Sequence, residues 1–265
     1  MNQKYALVTG GGSGIGAQYV LQLASRGYRV VIVSNRTDQN EAVARSVNQQ
    51  YKIEAYPLYA DLSQEDAAQR IYDWCDEKGI EIEVLVSNAG ILHFGKLEHT
   101  STEVIDRIMA IHCTTPAKLC RLFGHQMAKR GRGYILIMSS MTAWTALPTM
   151  SLYGATKAFL KNFSQSLWYE MRDVGVSVTT IFPSAVDTPF YELDDKHRRR
   201  LRRLGMMISA EKLATKALNA LFCRKRTYIP TLWAKIEVFL CRLMPAHAYL
   251  PLLRIPAIRR ILIKL

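Results

Sequence analysis

Short apolar runs alternate along the chain with longer segments in which apolar residues recur at helical spacing. The strand-like runs lie at residues 5–8, 29–33, 53–59, 84–87, 134–138 and 176–182. The helical segments lie at 17–24, 40–50, 63–78, 102–129 and 153–174. Continuous apolar strands suit a parallel sheet that is covered on both faces. The alternation therefore predicts an α/β fold, with a doubly wound parallel sheet, helices on both faces and right-handed crossovers.

Two local signals refine the predicted helices. Ser63 and Asp66 form an N-cap pattern, so we expect a helix to begin at Ser63. The segment 102–129 contains Pro116, and we expect the helix to break near it. Ligands of such sheets bind at the carboxyl ends of the strands.

A glycine-rich turn directly follows the first strand-like run and precedes the first helical segment. Its residues are Thr9, Gly10, Gly11, Gly12, Ser13, Gly14, Ile15 and Gly16. Glycines let a phosphate approach the backbone, and the N-terminus of the following helix offers free N–H groups and a positive dipole. The turn predicts a pyrophosphate site. The alternative is a tight loop without a ligand.

Tyr153 and Lys157 stand four residues apart, so on a helix they project from one face. A fixed positive charge beside a phenol lowers the pKa of the phenol from its ordinary value of about 10. The pair therefore predicts a tyrosine that is prepared for proton exchange. The alternative is an apolar ring beside a solvated amine.

The end of the second strand, Ser34-Asn35-Arg36, bears on the choice of cofactor. An acid there would bind the adenosine ribose, whereas arginine would pair with a 2′-phosphate. These three residues include no acid, so NADP(H) is favoured over NAD(H). If Arg36 is only a solvated loop charge, the preference is mild.

These motifs, in this order, resemble the short-chain dehydrogenase/reductase family between about Tyr5 and Thr188. The resemblance implies a single Rossmann-type domain with Asp61-Leu62 on the adenine side and a fourth-strand motif at Asn88-Ala89-Gly90. It also implies a catalytic set of Ser140, Tyr153 and Lys157, in which Ser140 polarises a carbonyl, Tyr153 exchanges the proton, and Lys157 holds the phenol and the nicotinamide ribose. No metal is expected, since His93 and His99 lack a ligand set.

Two positions depart from the family pattern. His112 stands where the family has an asparagine that helps hold a water beside the lysine, so a proton relay is expected to differ. Two interpretations stay open: His112 replaces the amide or titrates near neutrality, or it is a helix-interior histidine bonded to a backbone carbonyl. Pro183-Ser184 replaces Pro-Gly, and we still expect Pro183, Val186 and Thr188 at the nicotinamide carboxamide.

The length of the chain agrees with a single domain, and its cysteines agree with reduced thiols. The chain has 265 residues, 49% of them hydrophobic, which is enough for a large core. Its five cysteines are scattered without metal-like spacing, so we expect free thiols in a reducing compartment. No secretory signal is expected before the first strand, and a cytoplasmic location is predicted. Expected boundaries are 1–190 for the dinucleotide-binding and catalytic core, 191–230 for the substrate lid and last strand, and 231–265 for a helical, basic, apolar C-terminal extension.

Positive charge is concentrated late in the chain. Lys and Arg exceed Asp and Glu by 13 overall, and residues 224–265 hold nine Lys or Arg but one acid, Glu237. Apolar residues recur there at helical spacing: Leu232, Ile236, Phe239 and Leu243, then Leu252, Ile255, Ile258, Leu262 and Leu265. Such a segment is typical of peripheral contact with an anionic membrane, and no stretch is long enough to span one. The alternative is that the stripes pack on the domain or on a second subunit.

A second basic cluster, residues 197–203, contains five arginines in the expected lid. It is either a solvent-facing helix or a site for an anionic carrier or lipid headgroup. Nucleic acid is not expected as a partner, because no aromatic interleaving or binding module accompanies the charge.

The sequence thus predicts an oxidoreductase that transfers a hydride between NADP(H) and the carbonyl or alcohol of a hydrophobic substrate. The candidates are a 3-oxoacyl compound, a long-chain keto-base or a steroid. The family's members are commonly dimers or tetramers, so we expect a homo-oligomer. The competing hypothesis is a nucleotide-binding sensor or scaffold with weak turnover.

Overall fold

A seven-stranded parallel sheet forms the centre of the computed structural model, which describes residues 3–147, 149–188, 199 and 207–243. The strands in these residues are β1 (Tyr5–Thr9), β2 (Arg29–Ser34), β3 (Ala55–Tyr59), β4 (Ile82–Ser87), β5 (Gly133–Met138), β6 (Val176–Ile181), β7 (Ala185–Asp187), β8 (Met207–Ser209) and β9 (Thr227–Tyr228). The sheet has the order β3-β2-β1-β4-β5-β6-β9, and β7 pairs with β8 in a separate two-stranded sheet.

Helices connect the strands and cover both faces of the sheet. They are α1 (Gly14–Ala24), α2 (Thr37–Tyr51), α3 (Ala67–Glu77), α4 (Thr102–Met109), α5 (Thr115–Arg130), α6 (Ser151–Arg172), α7 (Ala210–Phe222) and α8 (Leu232–Leu243). Two 3₁₀ turns, Leu97–His99 and Met141–Trp144, and one π-helical turn, Ala110–Thr114, complete the regular structure of these parts of the chain.

The order of the strands fixes where a ligand can bind. The chain starts at β1, moves outward to β2 and β3, and then returns to the other side of β1 with β4. All pairs in this sheet are parallel, so their carboxyl ends lie along one edge. A crevice opens at the point where the winding reverses. The predicted doubly wound sheet is confirmed.

Both faces of the sheet are buried because helices cover them, and successive side chains on a strand point into opposite cores. Leu7 packs in one core, where Phe123 of α5 also lies. Its neighbour Val8 packs in the other core, with Leu218 of α7. All four side chains are buried almost completely. This two-sided burial explains why the strands appear in the sequence as continuous apolar runs.

The prediction that the helix at 63–78 begins at Ser63, with Ser63 and Asp66 as its N-cap pattern, is wrong. The Ser63 N–H and hydroxyl both donate to Asp61 Oδ1, at 3.0 and 2.7 Å. The Ser63 N–H, which Asp66 would accept in a capping box, thus goes to Asp61, and the helix begins only at Ala67, with Asp66 at the N-cap position and without a side-chain cap. The same two hydrogen bonds hold the pKa of the Asp61 carboxyl below its usual value.

The interruption predicted near Pro116 takes the form of a π-helical turn rather than a break. Residues Ala110–Thr114 join α4 to α5 in this wider geometry, and Pro116 lies in the first turn of α5. A proline lacks the N–H that continues a helical hydrogen-bond pattern, and the pattern changes to the wider π geometry directly before Pro116. His112 lies inside the π turn, a feature often found at functional sites.

Helix α8 does not bury the first of the two apolar stripes that the sequence indicated in residues 224–265. Leu232, Ile236 and Phe239 of α8 are exposed, whereas Ala234 and Val238 face inward. The interpretation that this stripe packs on the domain is therefore wrong for these three residues. The second stripe, 252–265, and the basic cluster 197–203 lie outside the described residues, apart from Arg199, which is exposed. The boundaries 1–190, 191–230 and 231–265 stay predictions.

Among the described residues, no helix combines the length and the apolar character that crossing a membrane requires.

Candidate active site

A cavity of about 370 Å³ opens at the carboxyl edge of the sheet, where the winding of the strands reverses. Residues from distant parts of the chain line it: Gly10, Ser13, Gly14, Ile15, Gly16, Asn88, Gly90, Met138, Ser139, Ser140, Tyr153, Lys157, Pro183, Ser184, Val186 and Thr188. The glycine-rich turn and the Tyr153/Lys157 pair, which are separated by about 140 residues in the sequence, thus share one site.

The glycine-rich turn is held in a conformation that side chains would block. Gly10 and Gly14 have φ of 66° and 53°, in the left-handed region that favours glycine. A Cβ at Gly16 would lie 1.9 Å from the Gly10 carbonyl oxygen, so the start of α1 packs directly on the turn. The N-terminus of α1 consequently faces the cavity, with the positive end of its dipole toward any anion bound there.

Thr9 fastens this turn to the end of β4. Its hydroxyl oxygen accepts the backbone N–H groups of Asn88 and Ala89, at 3.0 and 3.1 Å. The Asn88 side-chain amide donates to the Thr9 carbonyl at 3.1 Å. Gly90 then follows on the cavity wall. The predicted Asn88-Ala89-Gly90 motif is therefore joined to the glycine-rich turn by three hydrogen bonds.

Ser140 lies two residues after β5 and faces the same cavity as Tyr153. Its Oγ accepts the Thr142 N–H at 3.2 Å, which caps the 3₁₀ turn that follows. A hydroxyl that accepts in this way keeps its own hydrogen for donation. The local capping role and a hydrogen bond to a ligand in the cavity are therefore compatible.

Lys157 is buried beside Tyr153, with its Nζ 5.5 Å from the centre of the phenol ring. The ammonium donates to the Met138 carbonyl at 3.1 Å. The Ser139 hydroxyl donates to the Lys157 carbonyl at 2.8 Å and so ties α6 to β5. Burial lowers the pKa of the Lys157 ammonium to about 8, and nearby Cys113 opposes this only in part. Two N–H groups of the ammonium stay free of the Met138 bond and can serve a ligand.

His112 is a neutral imidazole with both nitrogens engaged. Its Nε2 accepts the Ile91 N–H at 2.9 Å. Its Nδ1 lies 2.9 Å from Thr156 Oγ1, whose hydroxyl donates to the Tyr153 carbonyl. Since Thr156 has already given its hydrogen, Nδ1 carries the proton in the His112–Thr156 bond. The ring thus links the end of β4 to the helix that bears Tyr153 and Lys157.

Neither interpretation of His112 from the sequence describes these bonds fully. The partner is a backbone N–H, not a carbonyl. Burial and the nearby Lys157 charge lower the pKa of the His112 imidazole to about 2. Titration near neutrality is therefore wrong for this residue, whereas replacement of an amide in a hydrogen-bonding role remains a prediction.

The residues predicted on the adenine side lie beyond the cavity lining. Ser34 Oγ donates to Asn40 Oδ1 at 2.6 Å, and Asn40 in turn donates to the carbonyls of Ser34 and Leu58. This network places Ser34 beside Gly12, where an added Cβ would come within 3.1 Å of the hydroxyl. Asn35 and Arg36 are exposed, and Arg36 stands at the N-cap position of α2.

Some of the other predicted site residues line the cavity and some do not. Pro183, Val186 and Thr188 line the cavity, whereas Gly12, Ala89, Asp61, Leu62 and His112 are not among its lining residues. Sequence reasoning missed Met138, Ser139 and Ser184 as lining residues. Ser139 could have been found from its position next to Ser140. Met138 contributes through its backbone carbonyl, for which no residue-type signal exists.

A profile of the short chain dehydrogenase family matches residues 4–199, well over half of the chain. The chain belongs to the short-chain dehydrogenase family. The predicted resemblance is confirmed, and the matched segment includes every cavity-lining residue named above.

Two relatives of this short-chain dehydrogenase are similar to it over about 190 residues each. The 17-beta-hydroxysteroid dehydrogenase type 3 of Rattus norvegicus is 35% identical over 190 residues, covering 70% of this chain and 61% of the relative. The very-long-chain 3-oxoacyl-CoA reductase of Bos taurus is 32% identical over 193 residues, covering 70% and 60%. The chain thus spans about three fifths of the length of these relatives.

Among solved structures, a short-chain dehydrogenase from Sphingobium yanoikuyae in complex with NADPH superposes with a TM-score of 0.79. It is 26% identical, and the match covers 89% of this chain and 92% of that one. The glycine cradle fits the nicotinamide dinucleotide that the family binds, because the turn leaves room for a pyrophosphate at the N-terminus of α1.

Proposed function

We propose that this short-chain dehydrogenase transfers a hydride between NADP(H) and the carbonyl or alcohol of a hydrophobic substrate. The observation that carries the proposal is the meeting of Ser140, Tyr153 and Lys157 with the glycine-rich turn in one cavity. A proton-exchanging group and a dinucleotide cradle are the two parts that such a reaction needs.

The side chains act on the oxygen of the substrate. The bound nicotinamide supplies or accepts the hydride. As negative charge grows on the carbonyl oxygen, the Ser140 hydroxyl donates a hydrogen bond to it, and Tyr153 delivers the proton. In the oxidative direction the same groups take the opposite roles.

Lys157 supports Tyr153 through its charge. The positive ammonium favours the phenolate form of Tyr153 and so eases proton release. Its free N–H groups would bind the nicotinamide ribose. Because burial lowers the pKa of Lys157 to about 8, the ammonium is charged at neutral pH and loses its proton as the pH rises through that value.

NADP(H) is the cofactor that we propose over NAD(H). Ser34, Asn35 and Arg36 follow β2 without an acid among them, and Arg36 is exposed at the start of α2. A 2′-phosphate at this position would meet both the guanidinium and the N-terminus of the helix. The solved relative in complex with NADPH supports the proposal.

We propose a lipid-like ketone or alcohol as the substrate. The two relatives are named for hydroxysteroid and very-long-chain 3-oxoacyl-CoA substrates, in which the steroid skeleton and the acyl chain are large and apolar. A steroid or a 3-oxoacyl compound is therefore favoured over the long-chain keto-base. The sensor or scaffold alternative is not favoured, because the complete proton-exchange set lines the cavity.

The decisive experiment is turnover, followed by absorbance at 340 nm, with a panel of steroid and 3-oxoacyl ketones. Tyr153→Phe should lower kcat by about 10²- to 10⁴-fold, the usual contribution of a general acid. The dissociation constant for NADPH, measured by fluorescence, should stay nearly unchanged. Tyr169→Phe, an exposed phenol on the same helix, is the matched control.

A Tyr153→Phe variant with the turnover of the unmodified protein would overturn the assignment. Binding of NADPH without turnover across the whole panel would instead favour the sensor.

We also propose a homo-oligomer that works in the cytoplasm with peripheral contact to an anionic membrane. The homo-oligomer is proposed because the family's members are commonly oligomeric, and the basic, amphipathic character of residues 224–265 supports the membrane contact. Sedimentation velocity gives the assembly state, and cell fractionation gives the location.

A further inference from the structure

Helix α8 exposes a row of large apolar side chains to solvent. Its outer face consists of Leu232, Trp233, Ile236, Phe239 and Leu240, which are between 41% and 74% exposed. The inner face, Ala234 and Val238, is buried. At 100° per residue, Ile236 and Phe239 point away from the inner face. An exposed apolar face of this kind marks a site that contacts a second apolar surface outside the domain.

The inner face holds the helix against the wall of the cavity. It packs on the 3₁₀ turn Met141–Trp144, which directly follows Ser140. Thr231 Oγ1 accepts the Ala234 N–H at 3.2 Å and so caps α8. The same oxygen lies 3.5 Å from the hydroxyl of Ser184, a cavity-lining residue. The start of α8 is therefore connected to the cavity wall at two places, the 3₁₀ turn after Ser140 and the Ser184 hydroxyl.

The charges around the outer face match an anionic partner. Lys235 is exposed on the helix, whereas the acid Glu237 is half-buried and accepts the Trp233 indole N–H at 2.9 Å. Burial raises the pKa of the Glu237 carboxyl, and the Trp233 hydrogen bond opposes this in part. After α8, residues 244–265 contribute four Lys or Arg and no acid.

The positive charges distinguish between two possible partners of the outer face, a second copy of the chain and an anionic bilayer. A second copy of the chain on this face would bring two basic C-terminal segments together, and like charges repel at an interface. An anionic bilayer offers an apolar interior for the outer face and negative headgroups for the flanking lysine and arginine side chains. The bilayer therefore satisfies both features at once.

We propose that the outer face of α8 docks on an anionic lipid surface, with the helix lying in the interface. In this orientation the wall of the active-site cavity is held at the membrane, where a hydrophobic ketone would be dissolved. The docking gives a surface to the membrane contact proposed above, and its consequence for substrate capture rests in addition on the proposed oxidoreductase activity.

The test is co-sedimentation of the full chain with phosphatidylcholine vesicles, with and without phosphatidylserine. The double variant Ile236→Ser/Phe239→Ser should lower the partition coefficient on anionic vesicles by about tenfold or more, because two apolar side chains no longer enter the interface. Leu97→Ser/Val174→Ser is the matched control, since those side chains are 56% and 41% exposed against 61% and 43% for Phe239 and Ile236. The control should partition like the unmodified chain.

Equal partitioning of the Ile236→Ser/Phe239→Ser variant and the unmodified chain would overturn the proposal. So would a dimer, seen by sedimentation velocity without lipid, that this variant dissociates, because the face would then be a subunit interface. Vesicle binding needs no turnover, so failure of the docking and failure of the oxidoreductase assignment are separate results.

Discussion

Lys157 and His112 show how burial adjusts single side chains around the cavity. Burial lowers the pKa of the Lys157 ammonium to about 8 and that of the His112 imidazole to about 2. One group therefore stays charged at neutral pH and the other stays neutral. A fixed charge beside Tyr153 and an uncharged strut behind it allow the phenol to exchange protons without a competing titration.

His112 should stabilise the site through its two hydrogen bonds. Replacing it with Leu leaves the Ile91 N–H without its acceptor, at a cost of about 1–3 kcal/mol, and removes the N–H that Thr156 Oγ1 accepts. His112→Asn, which can still accept from Ile91, should keep most of the unfolding free energy and of kcat. Urea unfolding and turnover measure both. A Leu variant as stable and active as the unmodified chain would contradict this role.

The same residue predicts a pH dependence of stability. Below the usual histidine pKa of 6.5 the unfolded chain binds a proton that folded His112 does not bind, so the free energy of unfolding falls as the pH falls from 6.5 toward 2. The slope from this group approaches about 1.4 kcal/mol per pH unit. Urea unfolding at several pH values should show a smaller slope for His112→Asn, and equal slopes would count against the assignment.

Arg36 should decide the preference between the two dinucleotides. Arg36→Glu replaces the guanidinium that we propose for the 2′-phosphate by a carboxylate that would repel it, so the KM for NADPH should rise roughly tenfold or more, while the KM for NADH changes little. Arg45→Glu, an exposed arginine on the same helix, controls for the loss of charge. Equal effects on both cofactors would remove Arg36 from the phosphate site.

Among the secondary-structure elements, the glycine-rich turn and α1 are fitted to each other most tightly. A Cβ at Gly16 would meet the Gly10 carbonyl at 1.9 Å and the Asn88 amide at 2.9 Å, so α1 would have to move. Gly16→Ala should therefore weaken NADPH binding and lower the free energy of unfolding by about 1–3 kcal/mol. Gly95→Ala, whose nearest contact is the His93 side chain at 3.4 Å, is the control. Fluorescence titration and urea unfolding should separate the two variants.

Element boundaries were predictable where an apolar pattern continues and failed where a side chain chose a local partner. β1 and α2 lie within a few residues of their predicted positions. The start of α3 was missed because Ser63 bonds Asp61 instead of capping the helix. A residue type indicates what a side chain can bond, and the surrounding geometry selects which bond forms.

For the whole molecule, the parallel sheet brings its motifs together. β1, β4, β5 and β6 end along one edge, so short segments from across the chain line one cavity. α8 then attaches to the cavity wall and presents its apolar outer face away from it. The candidate active site and the proposed lipid-docking surface are thus parts of one structural unit.

The alternation of apolar runs, together with the glycine, tyrosine and lysine motifs, was enough to predict the fold, the family and most of the cavity lining. These features are local, and local spacing determines which strands and helices can form. The tertiary structure alone decided the tautomer of His112, the burial of Lys157 against the Met138 carbonyl, and the exposure of Phe239. Each depends on neighbours that are distant in sequence, whose positions are fixed only when the sheet has assembled.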